Sequence, residues 1–114
     1  MTSDINERRN YRRIPVQIPV IVRGTDSTGR VFFDRGQIVS IDDRGARVHS
    51  RFHLKVGAEI KIEIPTEKNI EQMRVVWSGE PGSFYDGMVG LEFADPNDTW
   101  NLESLRAQWG ARNY

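Results

Sequence analysis

Arg12-Arg13-Ile14-Pro15-Val16-Gln17-Ile18-Pro19-Val20-Ile21-Val22 is the stretch that decides the fold. The even positions Ile14, Val16, Ile18, Val20 and Val22 are all apolar, and this strict period of two marks a strand with one face in a core. Pro15 and Pro19 fall on the other parity, which fits an edge or a bulge, because proline has no N–H to give a ladder. Just upstream, Arg8, Arg9, Arg12 and Arg13 place four arginines within six residues, without a lysine. A planar guanidinium pairs bidentately with phosphate and stacks on flat rings, where a lysine is only a point charge. Arginines tied to the foot of a strand are therefore candidates for clamping a phosphorylated ligand. The other reading is a solvated arm, the usual fate of charge runs near termini.

Outward from that strand, turn and strand signals alternate. Residues 24–29 form a turn by composition. A second strand is expected over Val31-Phe32-Phe33, interrupted near Gly36 and resuming at Gln37-Ile38-Val39-Ser40-Ile41, with Val39 and Ile41 on one face and Ser40 and Asp42 on the other. Asp42-Asp43-Arg44-Gly45 reads as a turn and Ala46-Arg47-Val48-His49 as a third strand. Leu54 to Gly57 is a loop. Glu59 to Ile64 alternates cleanly and Pro65 ends it. Two more strands cover about Ile70 to Trp77 and Met88 to Phe93, joined through Gly79, Pro81 and Gly82. Asp95-Pro96 has the form of a helix N-cap followed by proline. Leu102, Leu105 and Trp109 then stand at helical spacing, with Gly110 where a helix stops. Some six short strands and one terminal helix imply a small barrel or sandwich, and closure removes exposed edges.

At 114 residues the chain makes one domain with one modest core. Sixteen basic and sixteen acidic residues give no net charge, so the molecule as a whole does not attract polyanions. Positive charge instead gathers near the N-terminus, the pattern of a local anion site. The absence of cysteine excludes disulfides, thiolate catalysis and thiolate metal sites. No apolar run is long enough to span a bilayer, and the first fifteen residues hold no hydrophobic segment of signal-peptide type. A cytoplasmic protein without membrane insertion is the expectation.

Catalysis finds little support. His49 and His53 lack an orienting carboxylate and fall short of a zinc ligand set, so they read as surface or turn residues. Asp42 and Asp43, adjacent in a glycine turn, suit capping of backbone groups better than magnesium. There is no glycine-rich phosphate loop and no hydrolase-type serine motif. Gly45 is either a positive-φ turn glycine or a place where a ligand approaches the backbone. Trp77, at a strand end beside a glycine loop, is a core or rim residue or a platform for a purine or an arginine.

Together these residues resemble the PilZ domain, a small bacterial β-barrel that senses cyclic di-GMP. The family's RRxxxR motif is met by Arg8-Arg9-Asn10-Tyr11-Arg12-Arg13, followed by Ile14-Pro15-Val16. Its second motif, [D/N]xSxxG, aligns with Ser40-Ile41-Asp42-Asp43-Arg44-Gly45. Val75-Val76-Trp77 and Gly87-Met88-Val89-Gly90-Leu91-Glu92-Phe93 look like its closing strands. The resemblance covers about residues 7 to 109. It implies a mainly β fold: a six-stranded antiparallel PilZ-like β-barrel over residues 14–109 with a C-terminal α-helix, a flexible arginine-rich arm over residues 1–13, and a tail over residues 110–114.

The resemblance implies that Arg8, Arg9 and Arg13 hold phosphates and guanine faces of cyclic di-GMP, with Ser40, Asp42, Gly45 and Trp77 completing the site and no cofactor or metal required. In the second motif only the glycine is intact. Ser40 stands where the acid or amide belongs, and Asp42 where the serine belongs. The serine cannot engage two guanine edge donors as a carboxylate does, a loss of about 1–3 kcal/mol. The leading expectation is a non-enzymatic effector, a monomer or weak dimer, that orders its arm on the nucleotide and so signals to an unidentified protein partner. The alternative is a degenerate barrel acting through protein contacts alone. A nucleic-acid-binding barrel is disfavoured by the neutral charge and by the lack of an aromatic-plus-basic strand face.

Overall fold

The computed structural model describes residues 13–25, 28–51 and 54–110. The expectations placed on Arg8, Arg9, Arg12 and His53 lie outside the described residues. Six strands form: β1 (Ile14–Thr25), β2 (Val31–Ile41), β3 (Gly45–His49), β4 (Glu59–Ile64), β5 (Asn69–Ser78) and β6 (Met88–Phe93), followed by helix α1 (Leu102–Trp109). They close into an antiparallel barrel in the order β1-β2-β3-β6-β5-β4. The expected six-stranded barrel with a terminal helix is therefore the fold. Among the described residues no helix is long and apolar enough to cross a membrane.

The alternation in β1 fills the core as its period demands. Val16, Ile18, Val20 and Val22 are buried, with Ile14 packed at the margin. The β1–β2 register shifts between Pro15 and Ile18, and β4 pairs only with Ile21 to Arg23. Both prolines thus sit where a missing N–H leaves the ladder intact. Ile38, Ile41, Val48, Ile62, Ile64, Met73, Val75 and Val89 complete the interior.

Three expectations are corrected. β2 is one continuous strand: Gly36 pairs with Val20, and a Cβ there would lie 2.6 Å from the His49 carbonyl oxygen, so this glycine permits close packing and interrupts nothing. Val39 does not share the core face with Ile41. The β2–β3 register shifts between Ile38 and Ser40, and this bulge turns Ile38 inward beside Ile41 while Val39 stays half-buried. Finally, Asp95 does not cap the helix. Its Oδ1 accepts from Asn97 N at 2.9 Å and its carbonyl from Asp98 N at 3.0 Å, closing a turn.

The cap of α1 is Asn101, whose side chain accepts from Ser104 N at 3.1 Å. Leu105 is buried, and Leu102 and Trp109 lie against the core beside it. Burying Leu105 contributes about 1.5–3 kcal/mol. Gly110 ends the helix as expected, with φ −59 and its N–H bonded to the Arg106 carbonyl, and it bridges back to Val16.

Candidate functional site

Arg13 leads into β1 and lines an open cleft of about 560 Å³. Asp42 and Arg44 of the β2–β3 turn, Ala46 and Arg47 of β3, Val76 and Trp77 of β5, and Gly90, Leu91 and Glu92 of β6 line the rest. Three arginines and two acidic residues thus line one cleft. The barrel's strand order puts β3, β6 and β5 side by side, which is how residues far apart in the chain reach one wall.

The turn at one end of the cleft is built by Asp42. Its Oδ1 accepts from Arg44 N at 2.8 Å and from Gly45 N at 2.9 Å, while its own N–H reaches the Gly45 carbonyl at 3.1 Å. The expected capping role is therefore met, and the carboxylate is held against its own backbone. Asp42 follows the end of β2, so it lies in the turn and not on a strand face shared with Ser40. Phe93 N donates to the Arg44 carbonyl at 3.0 Å, which ties the turn to β6.

Gly45 is not a positive-φ glycine. A Cβ there would stand 1.8 Å from the Leu91 carbonyl oxygen and 2.9 Å from Glu92 Cα. The backbone that needs this missing side chain is that of β6. Gly45 is buried and does not line the cleft.

Ser40 pairs with Pro15 on one side and Arg47 on the other. Its hydroxyl is enclosed, and among the described residues it has no hydrogen-bond partner. Such a group costs about 1–3 kcal/mol. Ser40 does not line the cleft either. Of the predicted set, the structure brings together Arg13, Asp42 and Trp77.

Trp77 owes its position to a bulge. The β5–β6 register shifts between Val75 and Trp77, so Val76 and Trp77 are both exposed, at 42% and 36%. The indole makes an edge contact with Tyr85 at 5.6 Å, and Tyr85 meets Phe84 likewise at 5.1 Å. The Arg47 guanidinium carbon lies over the ring, 5.7 Å from its centroid, within cation–π range. Sequence reasoning assigned no role to Arg44, Arg47 or Gly90. The alternation Ala46-Arg47-Val48 already turns Arg47 outward, but only the β3–β6–β5 adjacency gives it Trp77 as a neighbour. An aromatic-plus-basic pair therefore does exist on a strand face, contrary to the sequence reading.

One ionisation shift lies away from the cleft. Asp34 is buried and accepts from Arg51 through Nε at 3.1 Å, NH2 at 2.6 Å and the backbone N–H at 3.2 Å. The Arg51 side chain holds this carboxyl below its ordinary value, against the opposing effect of burial.

The family model described as PilZ domain matches residues 7–108 of the chain. No curated protein matches it.

Proposed function

The chain belongs to the PilZ domain family, and from that premise we propose that it is a cyclic di-GMP receptor which passes the second-messenger signal to a partner protein. The observation that carries this reading is Arg13, the last arginine of RRxxxR, in the lining of the same cleft as Arg47 and Trp77. A cyclic dinucleotide presents two phosphates and two flat purines. Guanidinium forks match phosphates, and an exposed indole matches a purine face. In this reading Arg8, Arg9 and Arg13 hold phosphates and guanine faces, and the arginine segment folds over ligand held against the barrel. Ordering that segment costs conformational entropy, which the phosphate contacts must exceed. The folded arm then offers the partner a new surface. No step of this function is catalytic, and it places the protein in the bacterial cytoplasm.

One feature fits the ligand's demands at the second jaw. Asp42 spends one carboxylate oxygen on its own turn, which draws its charge away from a neighbouring phosphate. Titration with cyclic di-GMP, followed by amide resonances of the arginine arm and of residues 40–45, tests the reading. Saturable shifts in both regions support it; unchanged spectra at saturating nucleotide defeat it.

The second reading is a PilZ barrel that has lost the nucleotide and works by protein contact. It draws on Ser40, which replaces the family's acid or amide and stays out of the cleft. A Ser40→Asp, Asp42→Ser double variant that gains binding absent from the wild type favours this second reading.

A further inference from the structure

Arg47, Gly90 and Trp77 form a single row across three adjacent strands. Gly90 is the register partner of Arg47 on one side and of Trp77 on the other. Neighbouring strands lie about 4.8 Å apart, so Arg47 and Trp77 would be out of contact if a side chain stood between them. With glycine in the middle, the indole lies over the gap. A Cβ at Gly90 would come within 3.3 Å of Trp77 Cβ and 3.5 Å of its Cε3. The Arg47 guanidinium reaches toward the same ring. The result is an exposed indole with a two-pronged donor over its ring, 5.7 Å from the centroid, and both residues line the cleft.

From this row we infer that Arg47 and Trp77 form a guanine-reading subsite, in which a base stacks on the indole and the Arg47 fork donates to its O6 and N7. The inference rests on the reading of the chain as a cyclic di-GMP receptor and names the residues that give it base specificity. Guanine presents two acceptors, O6 and N7, on one edge, and a guanidinium fork matches both. Adenine presents N7 beside the N6 amino donor on that edge, so the same fork meets a donor where it needs an acceptor. The family's acid or amide reads guanine from its other edge, where the N–H donors lie. Ser40 has given up that contact in this chain. Arg47 supplies recognition from the opposite edge and needs no carboxylate.

Side-chain pairing across the sheet supports the assignment. Arg47 is half-buried on the outer face of β3, between inward Ala46 and Val48. Its backbone register partner on β2 is Ser40 itself. The residue that lost the family's acid and the residue proposed to replace its function are therefore direct cross-strand neighbours.

The test compares binding of cyclic di-GMP and cyclic di-AMP to the wild type and to the Arg47→Ala, Arg47→Gln and Trp77→Ala variants, with thermal melting as a control for folding. Arg47→Ala lowers affinity for the guanine ligand about ten- to a hundredfold and leaves the adenine ligand nearly unchanged. Arg47→Gln shifts the ratio further toward adenine, because a glutamine amide matches N6 and N7. Trp77→Ala weakens both ligands, by about tenfold or more, and preserves their ratio. If the wild type binds and both Arg47 variants keep its guanine preference, this subsite is overturned while the receptor reading stands. If the wild type binds neither nucleotide, the receptor reading falls and the subsite with it.

Discussion

The indole N–H of Trp100 donates to the carbonyl oxygen of Gly45 at 2.8 Å. This bond ties the segment before α1 to the turn that carries Asp42 and Arg44. Thr99 adds a hydroxyl contact to the Asp43 carbonyl at 3.2 Å, and Trp100 packs on Phe93 with ring centroids 4.7 Å apart. One wall of the cleft is therefore braced from behind by buried aromatic packing.

Trp100→Phe removes the bond and part of the packing. We expect a loss of about 1–3 kcal/mol of stability, read from urea unfolding. Amide signals of residues 42–45 shift in the folded variant. A stability within error of the wild type, with those signals unmoved, contradicts the brace.

Gly45→Ala places a methyl group into the β6 backbone, whose Leu91 oxygen stands 1.8 Å from the new atom. Backbone cannot swing aside as a side-chain tip can, so the β3–β6 pairing must open. A loss of about 3 kcal/mol or more is expected in urea unfolding. A loss below about 0.5 kcal/mol, the range of ordinary surface changes, shows that β6 does not require the glycine.

Ser40→Ala deletes a hydroxyl that is enclosed without a partner among the described residues. The unfolded chain hydrates that hydroxyl and the folded chain does not, so its removal leaves stability unchanged or raises it by about 1 kcal/mol. A fall of similar size in thermal or urea unfolding identifies a bond the account lacks.

Asp34 sets a pH dependence whose sign follows from its partner. Arg51 lowers the folded-state pKa of Asp34 below the unfolded one, so the ionised form is the one folding favours. That contribution is complete above the unfolded carboxyl value, about pH 4, and is lost as pH falls through the lower folded value. Asp34→Asn is expected to lower stability at neutral pH and to flatten the decline below about pH 4. Parallel acid-unfolding curves for wild type and variant rule the pair out as the source.

The strands were legible because alternation is local. The even positions from Val16 to Val22 name the core face of β1 without reference to any other strand. The bulges were not legible. Two consecutive apolar residues at Ile38-Val39, or at Val76-Trp77, carry no mark of which one turns outward. That choice depends on register with strands distant in sequence. The helix start was missed for a related reason: Asp95-Pro96 and Asn101 both suit a cap, and buried Trp100 selects the later one by anchoring the chain between them.

The site was half legible. Two residues of motifs written in consecutive positions, Arg13 and Asp42, line the cleft. Arg47 and Gly90 belong to it only through the β3–β6–β5 adjacency, a property of barrel closure and not of any segment. Gly45 shows the reverse case, a motif glycine whose surroundings in the fold are strand backbone.

Calorimetric titration of cyclic di-GMP into the purified protein tests the central claim most directly. The account predicts saturable heat with micromolar or tighter affinity, abolished when Arg9 and Arg13 are both replaced by alanine. No heat from the wild-type protein at high nucleotide concentration contradicts it.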